Sequence, residues 1–137
     1  MSVVAGVSVL GACAISSPAQ VQFSHADLSC VDDSQRCIAA RKRGLSALLA
    51  DQNRSWLSER PTAAQYAAGV RLFAFRKTKG ALTCDELKAA AAEAKSAPRV
   101  LRSGAGRGLT PAQVSRGAML GTETARDLRR ERRKRCR

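Results

Sequence analysis

Apolar side chains recur at helical spacing beyond residue 30, and polar or basic residues fill the positions between them. Four large aliphatic residues would share one face of a helix: Ile38, Leu45, Leu48 and Leu49. The basic residues 41–43 would lie on the opposite face. This amphipathic pattern predicts a first helix over about residues 34–50.

Three later segments begin with a common helix-start pattern, a Thr followed three residues later by Gln or Glu. In this capping box, each side chain accepts a hydrogen bond from a free backbone N–H group of the other residue. The three pairs are Thr62 with Gln65, Thr83 with Glu86, and Thr110 with Gln113. Pro111 supports the last start, because a missing N–H costs nothing at the first helical position. Pro98 predicts that the third helix bends or ends there.

The last predicted helix carries a stripe of mostly small residues: Val114, Gly117, Ala118, Gly121, Ala125 and Leu128. A glycine in a helix interior costs about 1 kcal/mol relative to alanine, so the two glycines need a structural reason. Small side chains allow a second helix to approach closely. The stripe predicts tight packing within the chain, and a self-association face is the alternative.

The composition favours the same fold class. Hydrophobic residues make up 45% of the 137 residues, but 25 of them are alanines and only 4% of the chain is aromatic. A β-sandwich or barrel needs β-branched and aromatic residues on its pleated faces, whereas alanine favours helices. We therefore predict an all-α protein, a small four-helix domain with a thin core.

The N-terminus has a different character. Residues 1–24 carry no charged side chain, and the apolar run over residues 3–12 is too short to span a bilayer as a helix. Its length is typical of the hydrophobic region of a signal peptide. The run ends in Leu10-Gly11-Ala12-Cys13, a large aliphatic residue and two small residues followed by cysteine.

This motif resembles the lipobox of bacterial lipoprotein precursors. In that family the cysteine sulfur receives a diacylglyceryl group, and signal peptidase II cuts just before it. The resemblance implies a signal peptide over residues 1–12, lipidation at Cys13, and a lipid-anchored tether over residues 13–29. A helical domain over residues 30–137 would follow, held to a membrane in the periplasm of the bacterial cell envelope.

Two other interpretations of the N-terminus stay open. Small residues in Ser17-Pro18-Ala19 match a signal peptidase I site, which would release a soluble secreted protein that begins at Gln20. The apolar run could instead form a buried strand of a cytoplasmic protein.

Four cysteines remain after Cys13, and an even number in a small exported chain indicates a disulfide framework. Cys30 and Cys37 flank the start of the first predicted helix, close enough for a local bridge. Cys84 begins the third helix and Cys136 ends the fourth, so the two meet if those helices pack antiparallel. Of the three pairings that four cysteines allow, we predict 30 with 37 and 84 with 136. A zinc site is disfavoured, because no pair has C-x-x-C spacing and the chain has one histidine.

The C-terminal residues 126–137 hold eight basic and two acidic side chains, in a chain whose formal net charge is +13. Seven residues form the predicted anion-binding set: Arg126, Arg129, Arg130, Arg132, Arg133, Lys134 and Arg135. A solvated helix end that complements the helix dipole is the alternative interpretation. An exported protein would meet anionic lipid, anionic glycan or acidic proteins. A cytoplasmic one would meet nucleic acid, although no aromatic residue follows Phe75 to stack on bases.

No group of residues in the sequence predicts catalysis, a cofactor or a metal. Ser24, His25 and Asp27 have the residue types of a catalytic triad, but they are nearly adjacent, whereas triad members converge from different elements. The adjacent acids 32 and 33 are explained by a helix start. The spacing of the glycines 104, 106 and 108 is a weak match to a phosphate-binding loop. We expect a non-catalytic protein with a structural or adaptor role, and a cytoplasmic nucleic-acid-binding protein is the alternative.

Overall fold

A computed structural model of the chain describes residues 24–137. The predicted signal peptide, the lipidation site at Cys13 and most of the predicted tether lie outside the described residues. Among the residues described, no helix has both the length and the apolar character that crossing a bilayer would require.

The described part of the chain is helical throughout, and residues 24–137 contain no strand. Six α-helices follow one another: α1 His25–Ser29, α2 Gln35–Ala50, α3 Ala63–Ala68, α4 Val70–Thr78, α5 Cys84–Arg102 and α6 Pro111–Arg135. Two short 3₁₀ turns lie at Ser55–Ser58 and Gly104–Gly106. The all-α prediction is confirmed, and the four-helix prediction is roughly consistent with the six helices of residues 24–137, because α2, the pair α3 and α4, α5 and α6 occupy the four predicted segments.

The three predicted capping boxes are all present, and they begin α3, α5 and α6. At α5, the backbone N–H of Thr83 donates to the Glu86 carboxylate at 2.7 Å, and the N–H of Glu86 donates to the Thr83 hydroxyl at 3.2 Å. Pro111 occupies the first turn of α6, as predicted. These local signals placed the helix starts correctly because both partners lie within one turn.

The second predicted helix is divided into α3 and α4 at Gly69. This residue has a φ of 76°, in the left-handed region that glycine adopts without strain. A methyl group added at Gly69 would lie 2.7 Å from Cδ2 of Leu120, so α6 also approaches the backbone closely here. The break rotates the two apolar faces relative to each other, and Phe73 is 47% exposed while Phe75 is fully buried.

The folded part begins earlier than the predicted boundary at residue 30. Residues 25–29 form α1, although they were predicted to belong to the tether. Ser24 caps this helix, and its only buried side chain, Leu28, is fully enclosed against Gly44 of α2. The helix is only five residues long, too short to show a periodic pattern in the sequence.

The antiparallel pair of α5 and α6 forms the most extensive helix contact within residues 24–137. A methyl group at Gly121 would lie 2.6 Å from Cβ of Ala97, and one at Gly117 would lie 2.8 Å from Cδ1 of Leu101. The small-residue stripe therefore packs within the chain, as predicted. Pro98 does not end α5, which continues to Arg102. The backbone of Gly121 lies close to the turn of α5 in which Pro98 lacks an N–H group. Packing of α6 against this turn therefore outweighs the local cost of a proline inside a helix.

Candidate anion-binding surface

Both predicted disulfides are formed. Cys30 and Cys37 join the start of α2 to the preceding loop, with Cα atoms 5.3 Å apart. Cys84 and Cys136 join the start of α5 to the residue after α6, with Cα atoms 5.9 Å apart. The second bridge fixes the C-terminal end of α6, which carries most of the predicted anion-binding residues.

Arg135 also holds this end of α6 in place. Its guanidinium donates hydrogen bonds to the carbonyl oxygens of Lys79 and Leu82, at 2.9 and 3.0 Å, in the turn between α4 and α5. It also lies 3.8 Å from the carboxylate of Glu131, one turn earlier. Arg135, one of the seven predicted anion-binding residues, therefore serves to dock the helix end.

Arg130 belongs to a network of charges between α4 and α6. It pairs with Asp127, and Asp127 also pairs with Arg76 of α4 at 3.3 Å. The hydrogen bond from Arg130 lowers the pKa of the Asp127 carboxyl, and the charge of Arg76 acts in the same direction. The charge of Arg130 is thus partly neutralised within the chain.

The other five predicted residues are exposed side chains of α6: Arg126, Arg129, Arg132, Arg133 and Lys134. None of them forms an ion pair with another residue of the described range, 24–137. Arg126, Arg129 and Arg133 follow one another at helical spacing and lie on one side of α6. The structure therefore presents a group of cations from one helix to solvent.

Sequence reasoning missed the charged pair in the core. Arg71 of α4 is 2% exposed, and its guanidinium donates to the Glu93 carboxylate of α5 at 2.7 and 2.9 Å. It also donates to the carbonyl oxygens of Trp56 and Glu59, and it lies 5.2 Å from the Trp56 ring centre. Burial raises the pKa of the Glu93 carboxyl, against the opposing effect of Arg71. The pair connects three elements of the core and is structural.

Ser24, His25 and Asp27 are not arranged as a catalytic triad. Ser24 caps α1, and Asp27 forms an ion pair with Arg43 at 3.0 Å. The Nδ1 atom of His25 lies 3.4 Å from the side-chain nitrogen of Gln65. Each of the three side chains therefore has a different partner, and none of those contacts joins a nucleophile to a base.

Asp32 and the glycine-rich segment have local roles, whereas Asp33 forms an ion pair with Arg116 of α6 at 3.3 Å. A carboxylate oxygen of Asp32 accepts a hydrogen bond from the backbone N–H of Ser34 at 2.8 Å. Hydrogen bonding to the side chain of Ser34, and then to its backbone, lowers the pKa of the Asp32 carboxyl. Asp32 lies beside Cys30 and Cys37, but those sulfur atoms are bonded to each other. Gly106 allows the chain to turn against α5, because a methyl group there would overlap the carbonyl oxygen of Leu101.

Comparison of the chain with protein-family models, with curated proteins and with solved structures finds no match.

Proposed function

We propose that this chain is a small envelope lipoprotein with a structural or adaptor role, which binds an anionic partner through the exposed cations of α6. The observation that carries the proposal is the group of five exposed α6 cations without carboxylate partners in residues 24–137. Their mutual repulsion favours binding of a negatively charged partner. The proposed role is non-catalytic.

The rigidity of the helix end supports this role. The Cys84–Cys136 bridge and the two carbonyl contacts of Arg135 hold the last turns of α6 against α5. Cations held on an ordered helix lose less conformational entropy on binding than cations on a free tail would. The bound partner therefore meets a preformed array.

The disulfides support an oxidising compartment, where bridges between cysteines form and persist. In the bacterial envelope the available anions are lipid headgroups, glycans and acidic proteins. The proposed lipid anchor at Cys13 would hold the domain close to such partners.

Neutralisation of the α6 cations tests the binding surface. We expect the variant R126Q/R129Q/R132Q/R133Q to lose most of its binding to dextran sulfate and to phosphatidylglycerol vesicles, measured by titration calorimetry at low salt. Binding of the unaltered protein should weaken steeply with salt, because the Debye length falls from about 10 Å at 0.1 M to about 3 Å at 1 M.

A matched variant controls for net charge. R36Q/K42Q/R60Q/K77Q removes the same number of charges from exposed positions on α2, α4 and the loop before α3. It should bind as the unaltered protein does. Equal binding by the α6 variant and the unaltered protein would contradict the proposal, and α6 would then end in a solvated helix terminus.

The anchor is tested separately in the bacterial cell. The mature protein should fractionate with membranes, and its intact mass should correspond to a lipidated chain that begins at Cys13. Cys13→Ser should block processing or release the protein from membranes. A mature N-terminus at Gln20 would contradict lipidation but not export, whereas soluble full-length protein in the cytoplasm would contradict both.

A further inference from the structure

The basic surface of α6 continues onto α5. The two helices are antiparallel, with Gly117 beside Leu101 and Gly121 beside Ala97. Arg102 near the end of α5 and Arg126 of α6 line the same groove on the solvent side of this pair. A side chain on that side of α5 therefore lies next to the exposed cations of α6.

Helical spacing places further cations on this side of α5. Arg99 lies three residues before Arg102, and Lys95 and Lys88 lie seven and fourteen residues before it, about two and four turns. Together with three residues of α6 they form what we call the two-helix basic face: Lys88, Lys95, Arg99, Arg102, Arg126, Arg129 and Arg133. All seven are exposed, and within the described part of the chain none forms an ion pair.

The groove between the two helices has the chemistry of an anion site. It has a volume of about 310 Å³, and the residues that line it include Arg102, Arg126, Ser115 and Thr122. Guanidinium groups bind carboxylate, sulfate and phosphate oxygens with paired hydrogen bonds, and a serine hydroxyl such as that of Ser115 donates to the same oxygens. The Thr122 hydroxyl donates to the carbonyl oxygen of Ala118 at 3.0 Å. Glu123 lies at the edge of the groove and pairs with Arg76 at 3.8 Å.

We propose that the two-helix basic face binds an anionic polysaccharide chain that crosses both helices, with one acidic group in the groove between Arg102 and Arg126. This inference rests on the anionic partner of the proposed function, and it identifies that partner. The cations of α5 extend over about 21 Å, fourteen residues of helix. A single small anion cannot contact all of them, but a linear polyanion can.

Two other polyanions fit this surface less well. Insertion into a membrane surface needs several exposed apolar side chains, and Met119 is the only large apolar side chain exposed at this groove. Binding of single-stranded nucleic acid uses aromatic side chains on which bases stack, but Trp56, Tyr66 and Phe75 are buried. The exposed Phe73 belongs to α4, outside the two-helix basic face. A polysaccharide with regularly spaced acidic groups needs neither feature.

The experiment compares three charge-matched variants of the oxidised protein with the unaltered one. The first neutralises α5 (K88Q/K95Q/R99Q/R102Q), the second neutralises α6 (R126Q/R129Q/R132Q/R133Q), and the third is the control R36Q/K42Q/R60Q/K77Q. Titration calorimetry measures binding to dextran sulfate and to polygalacturonate, and circular dichroism verifies that each variant is folded. Glutamine keeps the helix propensity of these exposed positions.

We expect the α5 and α6 variants each to bind both polysaccharides about tenfold more weakly than the control variant does. The slope of log affinity against log salt should be roughly halved in each, because about half of the ionic contacts are lost.

Each alternative outcome has a separate meaning. Undiminished binding by the α5 variant, with weak binding by the α6 variant, would overturn this inference and leave the proposed function standing. Undiminished binding by both would overturn both proposals. Tighter binding of phosphatidylglycerol vesicles or duplex DNA than of the polysaccharides, at physiological salt, would overturn the assignment of a polysaccharide.

Discussion

The guanidinium of Arg71 is stable in the core because four oxygen atoms from Trp56, Glu59 and Glu93 accept its hydrogen bonds. A buried charge without partners would be strongly unfavourable. The sequence gives only a faint indication of this arrangement. Arg71 lies between Val70 and Leu72, which are both buried, so a long basic side chain occupies a position where the neighbouring residues form core.

Loss of Arg71 should destabilise the protein far more than loss of a surface arginine. Arg71→Ala would leave the Glu93 carboxylate and the Glu59 carbonyl group without their donor, and we expect the free energy of unfolding to fall by about 3–5 kcal/mol. Urea denaturation provides the measurement. The control is Arg60→Ala, at an exposed position without ion pairs in the described range, which should change stability by less than about 0.5 kcal/mol.

The cost of Arg71→Ala should also depend on pH. Burial raises the folded-state pKa of Glu93 above the ordinary 4.5, so its contribution to stability is favourable below that value and is lost as pH rises. Without Arg71 the carboxylate form becomes still less favourable in the core. We therefore expect a smaller loss of stability at about pH 4 than at about pH 7. An equal loss at both values would show that Arg71 does not change the folded-state pKa of Glu93.

At the scale of elements, the contact between α5 and α6 depends on the two glycines of α6. The backbone at Gly121 lies so close to α5 that a methyl group there would meet both the carbonyl oxygen of Ala94, at 2.9 Å, and Cβ of Ala97. Neither atom belongs to a flexible side chain that could move away. A larger side chain at Gly121 would therefore require α5 and α6 to move apart.

Gly121→Ala should therefore destabilise the protein, although alanine is the better helix former by about 1 kcal/mol. Overpacking of this kind costs about 1–3 kcal/mol, and we expect a net loss within that range. Gly80→Ala is the matched control, since a methyl group there would have no neighbour within 4 Å. Thermal denaturation of both variants tests the difference. A Gly121→Ala protein as stable as the control would contradict the close contact.

The helix starts were predictable because a capping box lies within one turn, and the pairing of Cys84 with Cys136 followed from an antiparallel helix pair. The division at Gly69 was not predicted, because Tyr66, Val70 and Phe73 keep helical spacing across it, and the close approach of Leu120, fifty-one residues later in the chain, is not visible in the sequence. The continuation of α5 past Pro98 depends in the same way on α6. The local signals were therefore reliable where their partners are local, and failed where distant packing decides.

The two disulfides should differ in their contribution to stability. Cys84 and Cys136 are 52 residues apart, and Cys30 and Cys37 are 7 apart. A bridge that closes a longer loop removes more entropy from the unfolded chain, which corresponds to about 4 kcal/mol for the first bridge and about 2.5 kcal/mol for the second. We expect C84S/C136S to lower the melting temperature more than C30S/C37S does. The reverse order would contradict this expectation.

At the scale of the whole molecule, some basic side chains in the described part of the chain form ion pairs with its carboxylates and others do not. Arg41, Arg54, Arg71 and Arg76 form ion pairs with carboxylates that connect different segments. The two-helix basic face forms no ion pair with any residue of the range 24–137. The sequence predicted the α6 part of this face, because those cations form a continuous run. It did not predict the α5 part, because Lys88, Lys95 and Arg102 join the run only when the helices pack antiparallel.

The melting temperature in the presence of a polyanion shows whether binding requires the folded two-helix basic face or only the positive charge of the chain. The unfolded chain carries the same 24 basic residues as the folded protein, so a polyanion that responds only to charge would bind both states. A ligand stabilises the folded state only to the extent that it binds that state more tightly. Because folding brings the cations of α5 and α6 onto one face, we expect dextran sulfate to raise the melting temperature by a few degrees at constant ionic strength.

The increase should be absent in K88Q/K95Q/R99Q/R102Q and present in R36Q/K42Q/R60Q/K77Q, with unfolding followed by circular dichroism. A decrease in the melting temperature of the unaltered protein would show that the polyanion prefers the unfolded polycation, and the folded surface would then have no selective role.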